Sequence, residues 1–238
     1  MPGATKPSFI KTLGRNVLDL VFPVFCLGCG KEGVFLCDSC YRRLPRLEAL
    51  TCVVCEKPSP FGKTHPDCVS RNRIDGLVSA SPYAHPVVKK MVEVLKYKYV
   101  ADLSQPMANL ILEQVQNFSL SDHFKEFILV PVPLNKWRMR ERGFNQSELI
   151  AKVLSERLEI PLNNELVIRK RSTKPQADLN KEKRKTNIHG AFEVIGSVPE
   201  KILLLDDVAT TGSTLNEIAR VLKQKNAREI WALTFARD

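Results

Sequence analysis

The sequence predicts an α/β protein in which a parallel sheet with helices on both faces follows a small cysteine-rich module. Two observations support this fold class. After residue 70, short apolar runs alternate with stretches of helical periodicity, the pattern of strand–helix–strand units in a parallel sheet. All 7 cysteines lie before this region, between positions 26 and 68. We therefore expect an N-terminal lead at 1–25, a zinc-binding module at 26–70 and an α/β domain at 71–238.

Length and charge limit the class of protein. The 238 residues suffice for one α/β domain with a small appendage. No apolar run approaches the roughly 20 residues of a membrane span, and the apolar stretch 17–25 is interrupted by Asp19 and Pro23. We therefore expect a cytoplasmic protein. The net charge of +10 indicates polyanionic partners, and two kinds stay open: pyrophosphate-bearing ligands and nucleic acid.

The cysteines are spaced like zinc-binding knuckles. Each Cys-x-x-Cys pair can present two ligands to a tetrahedral zinc ion, and one His-x-x-Cys pair has the same spacing. Thiolates of a cytoplasmic protein bind metal more often than they form disulfides. The predicted ligands of one or two zinc ions are Cys26, Cys29, Cys37, Cys40, Cys52, Cys55, His65 and Cys68. For His65 alone, an ordinary loop residue is the alternative.

The α/β region opens with a predicted strand at 76–80 and an amphipathic helix at 87–95, and a second helix is predicted at about 103–115. The basic and aromatic end of the first helix, 95–98, is interpreted as a solvated helix end. Cations are favourable there because they interact with the helix dipole.

Cations follow the next buried strand, at 127–130. Guanidinium groups in a loop after a parallel strand bind phosphate oxygens through paired hydrogen bonds, so this alternating set is predicted to bind pyrophosphate: Lys136, Arg138, Arg140 and Arg142. A solubilising loop is the alternative for any single arginine. A helix through Leu149 and Leu154 follows. A short strand at 167–168 then precedes a long polar and basic connection, which is typical of a functional or mobile segment.

The most specific stretch extends from 202 to 214. Four aliphatic residues lead into Asp206 and Asp207, then into a loop of small residues, and a helix begins near Leu215. Backbone N–H groups and the dipole at a helix N-terminus favour an anion, and ligands of open α/β sheets gather at this edge. Two acids beside a phosphate site suit vicinal hydroxyls or hydrated magnesium. The stretch therefore predicts a site for a ribose 5-phosphate. An ordinary strand–turn–helix is the alternative.

This stretch resembles the phosphoribosyl pyrophosphate (PRPP) signature of type I phosphoribosyltransferases. The chain also contains paired Cys-x-x-Cys knuckles, Leu-Lys-Tyr-Lys at 95–98, Arg-Gly-Phe-Asn-Gln at 142–146 and Thr-Lys-Pro-Gln at 173–176. With these motifs it is identified as a member of the ComF family, competence-associated and phosphoribosyltransferase-like proteins of bacteria. The resemblance implies a type I phosphoribosyltransferase core with a zinc module in place of the substrate hood. It also implies displacement of pyrophosphate from C1 of PRPP by an acceptor, which the sequence does not name.

The resemblance also implies roles for particular residues. Asp206 and Asp207 would hold the ribose hydroxyls, directly or through magnesium water. The 5-phosphate would be bound by Ala209, Thr210, Thr211, Gly212, Ser213 and Thr214. A flexible lid would include Arg171, Thr173, Lys174 and Gln176. Expected cofactors are structural zinc, and magnesium with PRPP. Two other functions stay open: a single-stranded DNA-binding protein of natural transformation, working with competence-machinery partners, and a PRPP-sensing regulator.

Overall fold

A four-stranded parallel sheet forms the centre of the α/β region. The computed structural model describes residues 23–70, 72–97, 101–171 and 188–238. Its strands are β1 (Gly76–Pro82), β2 (Ile128–Pro131), β3 (Val167–Arg169), β4 (Phe192–Val194), β5 (Lys201–Ala209) and β6 (Glu229–Arg237). The sheet has the order β1–β6–β5–β2, and all its neighbouring strands are parallel. Strands β3 and β4 form a separate antiparallel pair.

Helices cover both faces of the sheet. They are α1 (Asp38–Arg42), α2 (Pro86–Tyr97), α3 (Ser104–Asn117), α4 (Ser121–Phe124), α5 (Lys136–Arg142), α6 (Gln146–Leu158) and α7 (Ser213–Lys223). The apolar stripe of α7 packs on one face, against Ile202, Leu204 and neighbouring side chains, while α3 and α6 pack against each other and against sheet strands. Alternate side chains of the central strands are therefore buried on both sides, which explains their uninterrupted apolar sequences. The predicted fold class is confirmed.

Two parts of the chain differ from the sequence interpretation. The cations from 136 to 142 lie on a helix rather than in a loop. Asn135 caps this helix, its side chain accepting a hydrogen bond from the Arg138 N–H at 2.7 Å, and Gly143 ends it at a φ of 73°. Strand β4, which pairs with β3, was not predicted.

The chain forms two compact units, and the boundary between them lies between Leu44 and Pro45. The cysteines from 26 to 40 belong to the first unit, and those from 52 to 68 belong to the second unit with the sheet. The boundaries expected from the sequence, at 26–70 and 71–238, stay predictions. Across the ranges that the structure describes, no helix combines the length and the apolar character that crossing a membrane requires.

Candidate functional site

The strand–loop–helix of the predicted phosphate site is present, with the strand longer than expected. Strand β5 continues past both acids to Ala209, which pairs with Arg237 of β6. The loop is therefore short, from Thr210 to Gly212, and α7 begins at Ser213. The N-cap residue, Gly212, has no side chain, and the Ser213 N–H donates to the Thr211 hydroxyl at 3.4 Å. The positive end of the helix dipole lies at this loop. Such an end favours an anion.

Small side chains shape the loop. The hydroxyl groups of Thr211 and Ser213 are 2.7 Å apart and share a hydrogen bond. Gly212 has a φ of 67°, and a Cβ atom placed there would lie 2.6 Å from Cγ2 of Val53. Glycine is therefore required at this position for two reasons, the left-handed backbone and the contact with Val53.

The two acids have different partners. Asp207 is buried and forms an ion pair through Oδ2 with the ammonium group of Lys96, at the end of α2. Its Oδ1 accepts a hydrogen bond from Nε2 of Gln146 at 3.4 Å. Oδ1 of Asp206 accepts from the Ser147 hydroxyl at 3.3 Å and from the Asp207 backbone N–H at 2.9 Å. Asp206 is half-buried and is the more accessible carboxylate.

These environments shift the two carboxyl pKa values in opposite directions. Burial raises the pKa of Asp207, but the charge of Lys96 outweighs it and holds this pKa below the usual range. Burial, followed by the negative charge of Asp207, raises the pKa of Asp206 to about 8. For Lys96, burial lowers the pKa, and the attraction of Asp207 outweighs this and raises it. At neutral pH, the site therefore holds one ionised acid neutralised by lysine and a second acid that is easily protonated.

The interpretation of residues 95–98 as a solvated helix end is wrong for Lys96. Its side chain is only 24% exposed and pairs with an acid of the predicted ribose site. Nothing local to the helix distinguishes such a lysine from a solvated one, because its partner lies in β5, far away in sequence. The side chains of Gln146 and Ser147 were likewise not predicted as site residues, although Gln146 ends the motif at 142–146 and Ser147 follows it directly.

The four predicted pyrophosphate ligands lie on two different sides of α5. Residues two apart lie on different sides of a helix, and the exposures follow this: Lys136 and Arg140 are exposed, Arg138 is half-buried, and Arg142 is buried. Nη1 of Arg142 donates to Oε1 of Gln146 at 3.1 Å. The structure thus brings Arg142 to the acids through Gln146.

The β3–β4 pair provides another arginine near the acids. Burial lowers the pKa of Arg169, the charge of Arg138 lowers it further, and that of Asp206 raises it. The charges of a predicted pyrophosphate ligand and of a predicted ribose ligand thus both act on Arg169. Arg171, at the beginning of the predicted lid, donates to the carbonyl of His189 at 2.9 Å. The other predicted lid residues, Thr173, Lys174 and Gln176, lie outside the described residues.

All eight predicted zinc ligands fall into two tetrads. In each tetrad the ligand atoms lie within 4.8 Å of one another: Cys26, Cys29, Cys37 and Cys40, and Cys52, Cys55, His65 and Cys68. His65 is oriented as a ligand, since its Nδ1 lies 3.3 Å from Sγ of Cys55 while its Nε2 lies 3.1 Å from the Pro58 carbonyl. Zinc-bound histidines usually donate their second ring N–H in this way.

The thiol groups show why each tetrad suits a cation. For Cys40, burial and the neighbouring cysteines raise the pKa to about 12. Burial also raises the pKa of Cys26, but backbone N–H donors outweigh it and lower this pKa to about 6. In the second tetrad, burial and the neighbouring cysteines likewise raise the pKa of Cys68 to about 11, while backbone N–H donors outweigh burial and lower the pKa of Cys52 to about 7. Clustered thiolates repel one another, and a zinc ion at their centre removes that repulsion.

Two family models match the chain. The double zinc ribbon domain matches residues 17–69, and the phosphoribosyl transferase domain matches residues 145–238. Together with the sheet, the strand–loop–helix and the two tetrads, these matches define a protein with a type I phosphoribosyltransferase core and an N-terminal double zinc ribbon, in which zinc is structural.

Three relatives identify the family. Competence protein F of Haemophilus influenzae is 30% identical over 231 residues, covering 93% of this chain and 95% of the relative. DNA utilization protein YhgH of Escherichia coli K12 is 32% identical over 209 residues, covering 83% of each. Competence protein ComFC of Bacillus subtilis is 31% identical over 213 residues, covering 85% of this chain and 84% of the relative. The chain belongs to this ComF family.

Proposed function

We propose that the protein binds PRPP with magnesium and transfers or recognises its phosphoribosyl group in the cytoplasm, in a process linked to DNA uptake. The observation that carries the proposal is the pair of acids on β5 beside the N-terminus of α7. This arrangement offers carboxylates to a diol and a positive dipole to a phosphate a few ångströms away. The names of the relatives, which refer to competence and DNA utilization, support the link to DNA uptake.

Different residues of the site bind different parts of PRPP. Asp206, the more accessible acid, faces the ribose hydroxyls, and Asp207 supports it while paired with Lys96. The segment from Ala209 to Thr214 surrounds the 5-phosphate. Arg138 and Arg142, on the less exposed side of α5, are assigned to the pyrophosphate together with the predicted lid cation Arg171, whereas Lys136 and Arg140 lie exposed on the other side. Bound magnesium would neutralise clustered phosphate and hydroxyl oxygens, for which hard cations are suited.

Electrostatic stabilisation of the departing pyrophosphate would be the main contribution of the protein to a transfer reaction. Charge develops on the leaving group in an oxocarbenium-like transition state, and fixed guanidinium groups stabilise such charge without reorganisation. Arg142 is suited to this task because it is buried and held by Gln146. Among the described residues, no side chain stands out as a general base for the acceptor.

Calorimetric titration with PRPP tests the proposal. We expect micromolar affinity that requires magnesium, and a loss of about 100-fold or more in the double variant Asp206→Asn, Asp207→Asn. The variant removes the ionised acid together with several hydrogen bonds, each of which contributes about 0.5–1.5 kcal/mol when neutral and about 1.5–3 kcal/mol when charged. The exposed Asp122→Asn is the matched control. Pyrophosphate release with a panel of bases and amines distinguishes transfer from recognition. Equal affinity in the wild type and the double variant would contradict the proposal.

A second candidate function is binding of single-stranded DNA, which one surface favours. Trp137 is 64% exposed on α5 and stands between the cations Lys136 and Arg138, with Arg140 one turn further. Exposed aromatic rings among cations are the stacking platforms of proteins that bind single strands without sequence preference.

This candidate predicts weak binding with a steep dependence on salt, because counterions are released from the phosphates. Fluorescence anisotropy of a labelled oligonucleotide measures it over a salt titration, with and without PRPP. Trp137→Ala should weaken binding by about 1–3 kcal/mol, whereas Met139→Ala on the same helix should not. Affinity that does not change with salt would exclude this function.

A further inference from the structure

The knuckle at 52–55, which belongs to the second zinc site, packs directly on the loop that the proposed function assigns to the 5-phosphate. Val53 lies between the ligands Cys52 and Cys55, and it is buried in the same apolar cluster as Leu215 and Ala219 of α7. Its Cγ2 atom fills the space that a side chain at Gly212 would occupy. The knuckle therefore forms one wall of the phosphate loop, and the loop has no room to move toward it.

A half-buried arginine joins the backbone of the same knuckle to the end of β5. Arg237 donates hydrogen bonds to the carbonyls of Thr51 at 3.0 Å and Cys52 at 3.3 Å. Arg237 also pairs with Ala209 across the sheet, and the next backbone N–H, of Asp238, donates to the Ala209 carbonyl at 3.0 Å. The position of Cys52, a predicted ligand of the second zinc site, is thus fixed relative to Ala209, the last residue before the loop.

A third connection reaches the other end of the loop. The hydroxyl group of Thr64, next to the ligand His65, donates to the carbonyl of Ile74 at 2.8 Å. The Ile74 N–H in turn donates to Oδ1 of Asn216 at 3.1 Å, and the Asn216 N–H donates to the Gly212 carbonyl at 2.9 Å in the first turn of α7. All three connections join residues of the Pro45–Asp238 unit.

We propose that the second zinc site positions the phosphate loop, so that loss of its zinc lowers the affinity for a sugar 5-phosphate while loss of zinc from the first site does not. The inference rests on the proposed function. Its physical basis is that the conformation of 52–55 depends on the metal. Without a central cation nothing holds the four ligands together, so the knuckle opens and Val53 moves away from Gly212. Structural zinc supplies folding free energy in just this way.

The test uses the full-length protein with both zinc sites loaded and ribose 5-phosphate as the ligand. Cys68→Ser removes one ligand of the second site, and Cys29→Ser removes one ligand of the first. Zinc per chain is measured by elemental analysis, folding of the sheet by circular dichroism, and ligand affinity by calorimetry. We expect both variants to lose one zinc, Cys68→Ser to bind the sugar phosphate about 10-fold or more weakly, and Cys29→Ser to bind within about twofold of the wild type.

A second variant tests the contact without removing the metal. Val53→Ala keeps all zinc ligands and removes the wall at Gly212, so we expect two zinc ions per chain and ribose 5-phosphate affinity several-fold lower. Unchanged affinity in Val53→Ala together with Cys68→Ser, or equal losses in Cys68→Ser and Cys29→Ser, would overturn the inference. If the wild type with both zinc ions does not bind ribose 5-phosphate, the proposed function itself fails, and this result is distinct from both.

Discussion

Replacing Lys96 with methionine tests how the charge of the site is balanced. Methionine keeps much of the length of the lysine stem but leaves Asp207 without its cation. The side chains of this pair are 24% and 6% exposed, so the pair is mostly buried. Breaking a fully buried pair by removing one partner costs about 3–5 kcal/mol. Because water reaches part of Lys96 and Gln146 still bonds to Asp207, we expect a loss of about 2–4 kcal/mol at pH 8.

The loss should depend on pH. In the wild type, Lys96 holds the pKa of Asp207 below its usual value, so the stability that this acid contributes is present above the pKa of the unfolded chain and is lost as pH falls through the folded value. In the variant, burial is opposed only by hydrogen bonds such as that from Gln146, and without the charge of Lys96 it raises this pKa. The folded variant then binds a proton that the unfolded chain lacks, and its stability falls with rising pH by up to about 1.4 kcal/mol per unit. The deficit should therefore be smaller at pH 5 than at pH 8.

Urea denaturation of the zinc-loaded protein at both pH values measures this difference. At pH 8 the melting temperature should also fall, by roughly 5–15 °C for a protein of this size. Lys90→Met, at an exposed position of the same helix, is the matched control and should change stability by less than about 0.5 kcal/mol. The double variant Lys96→Met, Asp207→Asn should recover most of the loss, because both charges are absent. The reasoning is refuted if Lys96→Met behaves like the control, or if its deficit is the same at both pH values.

Two further predictions concern single residues of the site. Gly212→Ala and Gly196→Ala both place a side chain at positive φ, which costs about 1–2 kcal/mol. Of these two positions, only Gly212 has another side chain within contact distance of the added Cβ. Denaturation and PRPP titration should therefore show a larger stability loss, and a loss of affinity, for Gly212→Ala alone; equal behaviour of the two variants would contradict the contact with Val53. Because the pKa of Asp206 is raised to about 8, the folded chain keeps a proton that the unfolded chain loses above about pH 4, so the wild type loses stability as pH rises from about 4 to about 8. Relative to the wild type, Asp206→Asn should become progressively more stable over this range. A stability difference that stays constant across a pH series would argue against the raised pKa.

The features that the sequence predicted correctly are local in sequence. The apolar run of β5 and the amphipathic α7 are each contained within a short window, so periodicity predicts them. The clustering of the predicted zinc ligands into two tetrads could also be predicted, because each Cys-x-x-Cys or His-x-x-Cys pair places two ligand atoms close together. Their role as ligands stays a prediction. Strand β4 was missed because it has only three residues and follows a long polar connection.

The helix from Lys136 to Arg142 was missed although its end signals are present. Asn135 is a favourable N-cap residue, and Gly143 is a favourable residue after the last turn. The alternating cations show no amphipathic stripe, so periodicity does not indicate a helix at this position. A short helix exposed over most of its circumference needs none. The two capping residues were therefore more informative here than the charge pattern.

The ion pair of Lys96 with Asp207 belongs to a different class, since its partners lie on separate strand–helix units. The parallel topology still limits where it can form. The segments that follow β1, β2 and β5 leave the sheet at the same edge, where ligands of such sheets bind. Tyr83, directly after β1, is consistent with this: burial raises its pKa, and the charges of Lys96 and Asp207 both act on it. Given the strand order β1–β6–β5–β2, a basic residue on the helix after β1 is therefore a candidate partner for acids on β5. The strand–loop–helix can therefore be predicted from a short stretch of sequence, whereas the charge state of the two acids depends on the order of the strands.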